Sequence, residues 1–90
     1  MSVASAIESK LTQAFQPERM VVEDQSHLHA GHAGARPGGE SHFRVELVSA
    51  RFAGLNRVAR QRLVYDALAA ELAGPIHALA LKTLAPGEGP

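Results

Sequence analysis

The chain has 90 residues, with nine basic and nine acidic side chains, five histidines and no cysteine. This length predicts a single domain with a small core, and a 46% share of hydrophobic residues predicts a folded chain rather than disorder. A net charge of zero argues against strong non-specific binding to nucleic acid. The lack of cysteine excludes disulfides and a cysteine nucleophile, and it favours a reducing, cytoplasmic location. No apolar run approaches the roughly 20 residues of a membrane span.

The first predicted element is a helix. Ser2 can cap it, and Ser5 with Glu8 has the spacing of a capping box. Pro17 should end the helix because the residue before a proline is forced out of helical space. Four apolar residues recur on one helical face: Val3, Ile7, Leu11 and Phe15.

Two strands are predicted next, over residues 20–24 and 42–49. In the second strand, three apolar residues should face the core while His42 lies on the opposite, polar face, where a structural role is expected. The stretch from Ser26 to Gly39 is rich in glycine and contains three histidines, and it predicts a long loop. The two strands should pair antiparallel. The core-facing residues are Phe43, Val45 and Leu47.

A second helical region should begin at the cap Asn56 and continue to about Ala73. Extending its core stripe backwards would place Arg57, Arg60 and Gln61 on the same face, so we expect a kink or a short separate helical turn before Arg60. Gly74 should cap the C-terminus, and residues 76–83 read as a third strand. The stripe contains Val64, Leu68 and Leu72.

The predicted order is therefore α-β-β-α-α-β. It indicates an α+β fold of two layers, with a three-stranded mixed sheet and the helices on one face. Residues 1–85 should form the single domain, and residues 86–90 a flexible C-terminal tail.

Two segments carry a resemblance to a known family: Ser41-His42-Phe43 and Ile76-His77-Ala78-Leu79-Ala80. In this order and at this spacing they resemble the BolA family, and the likeness extends from the first helix to about Thr83. The resemblance implies a KH-like fold of the second topological type (class II KH-like).

The resemblance also implies a partner and a cofactor. BolA-like proteins partner monothiol glutaredoxins, and a [2Fe–2S] cluster can be shared between the two, with a cysteine and a glutathione thiol on the glutaredoxin side. His77 matches the C-terminal ligand of the family, and His29 matches the variable loop ligand, with His27 and His32 as alternates. No cofactor is expected in the isolated protein.

The chemistry of the donors agrees with that implication. Two histidines on one iron would give a Rieske-type centre, in which nitrogen ligands raise the reduction potential. Imidazole must be neutral to bind, so binding should weaken on acidification. The alternative interpretation is that His77 is an ordinary strand histidine and that the loop histidines are solvent-exposed spacers.

A DNA-binding transcriptional regulator is the second hypothesis, since the family also has that reputation. KH domains clamp nucleotides with a Gly-X-X-Gly loop, but here only Gly54 of the two glycines is present. Four arginines could form a positive patch, although they could equally be a solvated face or a docking surface for an acidic partner. They are Arg51, Arg57, Arg60 and Arg62.

An enzyme is the least expected class. The chain has no phosphate loop and no serine, histidine and acid at a spacing typical of nucleophilic catalysis. Ser41 and His42 are adjacent, but neighbours on a strand should point to opposite faces.

Overall fold

The computed structural model describes residues 2–25 and 41–89. The predicted order of elements is confirmed. None of the helices in these two ranges is long and apolar enough to cross a bilayer. The elements are α1 (Val3–Phe15), β1 (Arg19–Asp24), β2 (His42–Val48), a 3₁₀ turn (Ala50–Phe52), α2 (Arg57–Ala67), α3 (Ala69–Ala73) and β3 (Ala78–Leu84).

Helix α1 begins at the cap Ser2, whose hydroxyl oxygen accepts a hydrogen bond from the Ser5 backbone N–H at 3.0 Å. Ser5 itself lies inside the helix, so the first of the two predicted caps is the one used. The helix ends at Phe15, and Gln16 takes a left-handed conformation (φ 46°) directly before Pro17. The predicted stop at this proline is confirmed.

The three strands form one mixed sheet in the order β1-β2-β3. β1 and β2 pair antiparallel, with Asp24 opposite Phe43. β2 and β3 pair parallel, with His42 beside Ala78. Parallel neighbours need a crossover connection, which α2 and α3 provide.

The core lies between the sheet and the helices. The apolar residues of β2 alternate as predicted, with Phe43, Val45 and Leu47 buried and the residues between them partly exposed. Because every second residue of a strand faces the same side, this row packs against the helical layer. The other buried hydrophobic residues in the described ranges are Ile7, Leu11, Phe15, Phe52, Val64, Leu68, Ile76 and Ala85.

The predicted kink before Arg60 is wrong. Helix α2 runs without a break from its cap Asn56, whose side-chain oxygen accepts from the Ala59 N–H at 2.9 Å. The interruption comes later, at Leu68 (φ −106°, ψ 19°), between α2 and α3. The helix can continue through Arg60 because the guanidinium of Arg60 has hydrogen-bond partners there. Its Nε donates to the Leu55 carbonyl at 2.9 Å.

Arg60 also joins the C-terminal segment to the domain, a contact that sequence analysis did not anticipate. Its Nη1 and Nη2 donate to the two carboxylate oxygens of Glu88 at 2.6 and 2.8 Å, and Nη1 also donates to the Thr83 carbonyl at 3.3 Å. Glu88 in turn accepts from the Ala85 N–H at 2.9 Å. These hydrogen bonds, that of Arg60 first, lower the pKa of Glu88 to about 2.

We expect Glu88→Gln to make the protein less sensitive to acid. The folded pKa of Glu88 lies below its ordinary value of 4.5, so its stabilisation is complete above that value and is lost as the pH falls towards about 2. Urea unfolding at several pH values should show a flatter slope for Glu88→Gln across this window. Glu8→Gln, at an exposed carboxylate of α1, is the control; an equal change in both variants would contradict the assignment.

A buried serine joins the end of α1 to the end of β2. Ser49 is fully buried; its hydroxyl donates to the Phe15 carbonyl at 2.7 Å and accepts from the Arg51 N–H at 3.2 Å. Its backbone N–H donates to the Leu84 carbonyl at 2.9 Å, so Ser49 also touches the end of β3. One residue therefore bonds polar groups from three elements, of which the Phe15 carbonyl is buried.

Ser49→Ala should lower the free energy of unfolding by about 1–3 kcal/mol, because it leaves a buried carbonyl without its donor. Chemical denaturation measures the loss. Ser9→Ala, at an exposed position of α1, should change the stability by less than about 0.5 kcal/mol. A loss no larger than that of Ser9→Ala would show that the hydrogen bond to Phe15 contributes nothing.

Candidate functional site

His77 lies immediately before β3 and its side chain is exposed. The predicted third strand began at Ile76, but the observed strand begins two residues later. The reason is that the Ile76 N–H donates to the Glu71 carbonyl at 3.0 Å, so Ile76 is still bonded to the end of α3. His77 is therefore the first residue after α3 whose N–H bonds to the sheet side and not to a helix.

The backbone of His77 is fixed by Ser41. The Ser41 carbonyl accepts hydrogen bonds from the N–H groups of both His77, at 2.7 Å, and Ala78, at 3.2 Å. Ser41 is fully buried. The position of His77 is therefore set by the first contact between β2 and β3.

The two described residues that flank the segment 26–40 are held at the same end of the sheet. Its N-terminal neighbour Gln25 donates its N–H to the His42 carbonyl at 2.7 Å, and its C-terminal neighbour Ser41 bonds His77. The predicted ligands His27, His29 and His32 lie outside the described residues. Ser41 is thus bonded directly to His77, whereas Gln25 is bonded to β2 on the side opposite β3.

A second histidine accompanies His77. The imidazole centroids of His42 and His77 are 5.2 Å apart, with ring planes inclined by 53°. His42 is only 6% exposed, although sequence analysis assigned it to a polar strand face. The register of β2 and β3 is the signal that relates the two histidines, because His42 pairs with Ala78, the residue after His77.

The expectation that Ser41 and His42 point apart is wrong. Ser41 Oγ lies 3.0 Å from His42 Nδ1, within hydrogen-bond distance. Ser41 precedes the first residue of β2 and forms a bend, so the alternation of a pleated strand does not constrain its side chain.

An open groove of about 260 Å³ lies on the sheet beside His42. It exists because Ala78 and Ala80 are small, and Arg44, the residue that pairs with Ala80, leans towards Glu46, with 3.3 Å between Nη1 and the carboxylate. The groove is lined by Gln25, His42, Phe43, Ala78, Leu79 and Ala80.

The described residues do not form a complete metal site. Within residues 2–25 and 41–89, no group of three or more histidine, cysteine, aspartate or glutamate side chains is placed to hold a metal. What they offer is one exposed imidazole, that of His77, on a fixed backbone. Further ligands would have to come from outside the described residues or from a partner.

The four candidate arginines differ in their surroundings. Arg51, Arg57 and Arg62 are exposed. The Arg60 side chain is 11% exposed and bound to Glu88, so most of its charge is compensated within the chain. Gly54 takes a positive φ of 78°, and the position of the second glycine of a Gly-X-X-Gly loop is Arg57, the first residue of α2.

The fold agrees with the family comparison. A family model described as BolA-like protein matches residues 11–88, and the chain therefore belongs to the BolA-like family. The fold predicted from the resemblance is confirmed by solved structures. BolA1 from Arabidopsis thaliana is 39% identical, with a TM-score of 0.87 over 100% of this chain and 99% of that one. The BolA domain of SufE1 from Arabidopsis thaliana is 39% identical, with a TM-score of 0.88 over 99% and 98%.

Three relatives show how far the similarity extends. A protein of Sinorhizobium sp from the cobS 5' region is 52% identical over 98% of this chain and 96% of its own length. The DNA-binding transcriptional regulator BolA of Vibrio cholerae is 51% identical, over 90% and 73%. BolA-like protein 1 of Homo sapiens is 48% identical over 96% of this chain. The chain spans only 60% of the length of that human relative.

Proposed function

We propose that this protein is an adaptor that binds a monothiol glutaredoxin and co-ligates a shared [2Fe–2S] cluster, for cluster assembly, trafficking or iron-dependent regulation. The observation that carries the proposal is the placement of His77. Its imidazole is exposed, and its backbone is bonded at the base of a segment that contains three further histidines.

The second ligand in this proposal is His29, with His27 and His32 as alternates. His29 follows Gln25 by four residues, and four residues span at most about 14 Å. Since Gln25 is bonded to His42, at the same end of the sheet as His77, a chain of this length allows His27 and His29 to reach towards His77. The resemblance favours His29.

The donor set fits a shared cluster rather than a self-contained one. Iron–sulfur clusters are normally held by cysteine thiolates, and histidine replaces two of them in Rieske centres. This chain has no cysteine, so the thiolates must come from the glutaredoxin cysteine and its bound glutathione. His77 and one loop histidine would supply the remaining two ligands as neutral imidazoles.

The names of relatives are compatible with a binding role. One similar solved structure is the BolA domain of SufE1 from Arabidopsis thaliana, and the use of this fold as a domain of a larger protein supports a binding role. We propose a binding protein rather than an enzyme, acting in the cytoplasm, where a chain without cysteine has no need of oxidising conditions.

Loss of the His77 imidazole should abolish the shared site. When cluster-loaded monothiol glutaredoxin is mixed with the protein, the wild type should change the visible absorption and circular dichroism spectra, and His77→Ala should not. His77→Cys should retain a spectral change because a thiolate is an accepted cluster ligand. Gln13→Ala, at an exposed position of α1, is the control.

The same assay applied to His27→Ala, His29→Ala and His32→Ala identifies the second ligand, and His29→Ala should be the most damaging of the three. If the wild type leaves the glutaredoxin spectrum unchanged and forms no heterodimer on a sizing column, the proposed function is wrong. If His77→Ala behaves as the wild type does, the site assignment is wrong.

DNA binding is the second candidate, favoured by the name of the 51% identical Vibrio cholerae relative. Arg51, Arg57 and Arg62 are the exposed arginines that could contact phosphates. Arg60 contributes less in this proposal because Glu88 already binds it.

Gel shifts across a salt series test this candidate. A sequence-specific regulator should keep its preference as the salt rises, whereas a weak polyelectrolyte contact should vanish. Replacing Arg57 or Arg62 by alanine should reduce the slope of log affinity against log salt by about 1 for each phosphate that is no longer neutralised. An unchanged slope would remove these arginines from the interface.

A further inference from the structure

His42 is the buried member of the imidazole pair. Its ring centroid lies 5.2 Å from that of His77, and it is 6% exposed while the His77 side chain is exposed. A buried ring thus lies against one side of an exposed one. The contact restricts the space into which the His77 side chain can turn.

The orientation of the His42 ring is itself controlled. Ser41 Oγ lies 3.0 Å from His42 Nδ1, and Ser41 is fully buried. A buried polar pair in hydrogen-bond contact resists rearrangement, because breaking it leaves polar groups unsatisfied in a medium of low dielectric. The His42 ring is therefore a fixed surface rather than a mobile one.

His77 receives two constraints from the same dipeptide. The Ser41 carbonyl binds the backbone N–H of His77 at 2.7 Å, and the ring of His42 contacts the His77 imidazole. The His42 carbonyl also accepts from the Gln25 N–H at 2.7 Å, so the same dipeptide also bonds the last described residue before the segment 26–40.

We propose that His42 is a positioning residue for His77: its ring limits the rotamers of the His77 imidazole and presents that imidazole in one orientation. The use of this orientation rests on the proposed function, because a preorganised ligand loses less freedom when a partner binds. The orientation itself is a property of the chain alone. It can therefore be measured with no metal, cluster or partner present.

The test compares His42→Phe with His42→Ala. Phenylalanine keeps an aromatic ring beside His77 but has no nitrogen, whereas alanine removes the ring. Carbon-13 relaxation of the His77 ring C–H groups in the apo-protein reports its order. We expect the wild type and His42→Phe to have an ordered His77 ring and His42→Ala to have a mobile one, with the backbone amide spectrum of each variant confirming the fold.

Ser41→Ala provides the second variant in case His42→Ala does not fold. It keeps both rings but removes the hydroxyl that fixes His42, so the order of the His77 ring should fall part of the way. An equally ordered His77 ring in all of these proteins, or a mobile one in the wild type, would overturn the positioning role whatever a glutaredoxin does.

A titration with cluster-loaded monothiol glutaredoxin then asks whether the orientation matters. We expect His42→Ala to bind about 10-fold more weakly, the lower end of the usual effect of groups that orient metal ligands, and His42→Phe to bind nearly as the wild type does. If both variants bind weakly while the His77 ring stays ordered, His42 acts through its nitrogen and the positioning role is wrong. If the wild type fails to bind, the proposed function fails while the relaxation result still stands.

Discussion

The arrangement of this small domain depends on where β3 first meets β2. The Ser41 carbonyl accepts from His77 and Ala78, and this contact sets the register of the parallel pair. A shift of one residue would turn every side chain of β3 to the other face. Leu79 and Leu81, which pack against the core, would then face away from the helices, and His77 would leave its anchor. Burial of these two leucines therefore stabilises the strand register that positions the exposed His77.

That register also explains why a chain with so small a core can present a defined site. The crossover through α2 and α3 brings β3 to the edge of β2 that β1 leaves free, so β2 lies between the other two strands. The residue before β3 and the last residue of β1 therefore lie at the same end of the sheet, on opposite sides of β2. Ser41 therefore bonds directly to the backbone of His77, and Gln25 bonds to His42, the residue after Ser41. The described residues supply a fixed donor, and the histidines of the segment 26–40 are tied to the same point by covalent connection. In the adaptor we propose, this is one half of a site whose thiolates come from a partner.

Local patterns predicted most of the elements, and contacts between distant residues account for what was missed. The caps Ser2 and Asn56 act within three residues of themselves, and the alternation of β2 lies within one strand. The bond between Arg60 and Glu88 joins residues 28 apart, and no periodicity encodes it. The helical pattern alone therefore makes Arg60 a conflict with the core and predicts a kink before it. For the site, His77 was found by a motif, whereas the contact of its ring with His42 depends on strand register.

The pairing of Arg60 also bears on the choice between the two proposed functions. A count of arginines around Gly54 gives four, but one of them is 11% exposed and bound through both terminal nitrogens to Glu88. Phosphate binding depends on cations that can displace counterions, and a guanidinium already held by a carboxylate does this poorly. Three exposed arginines on a chain with zero net charge form a modest electrostatic surface. Among the described residues, no carboxylate forms an ion pair with His77, so its exposed imidazole is not already bound as Arg60 is. This difference favours the adaptor over the DNA-binding alternative.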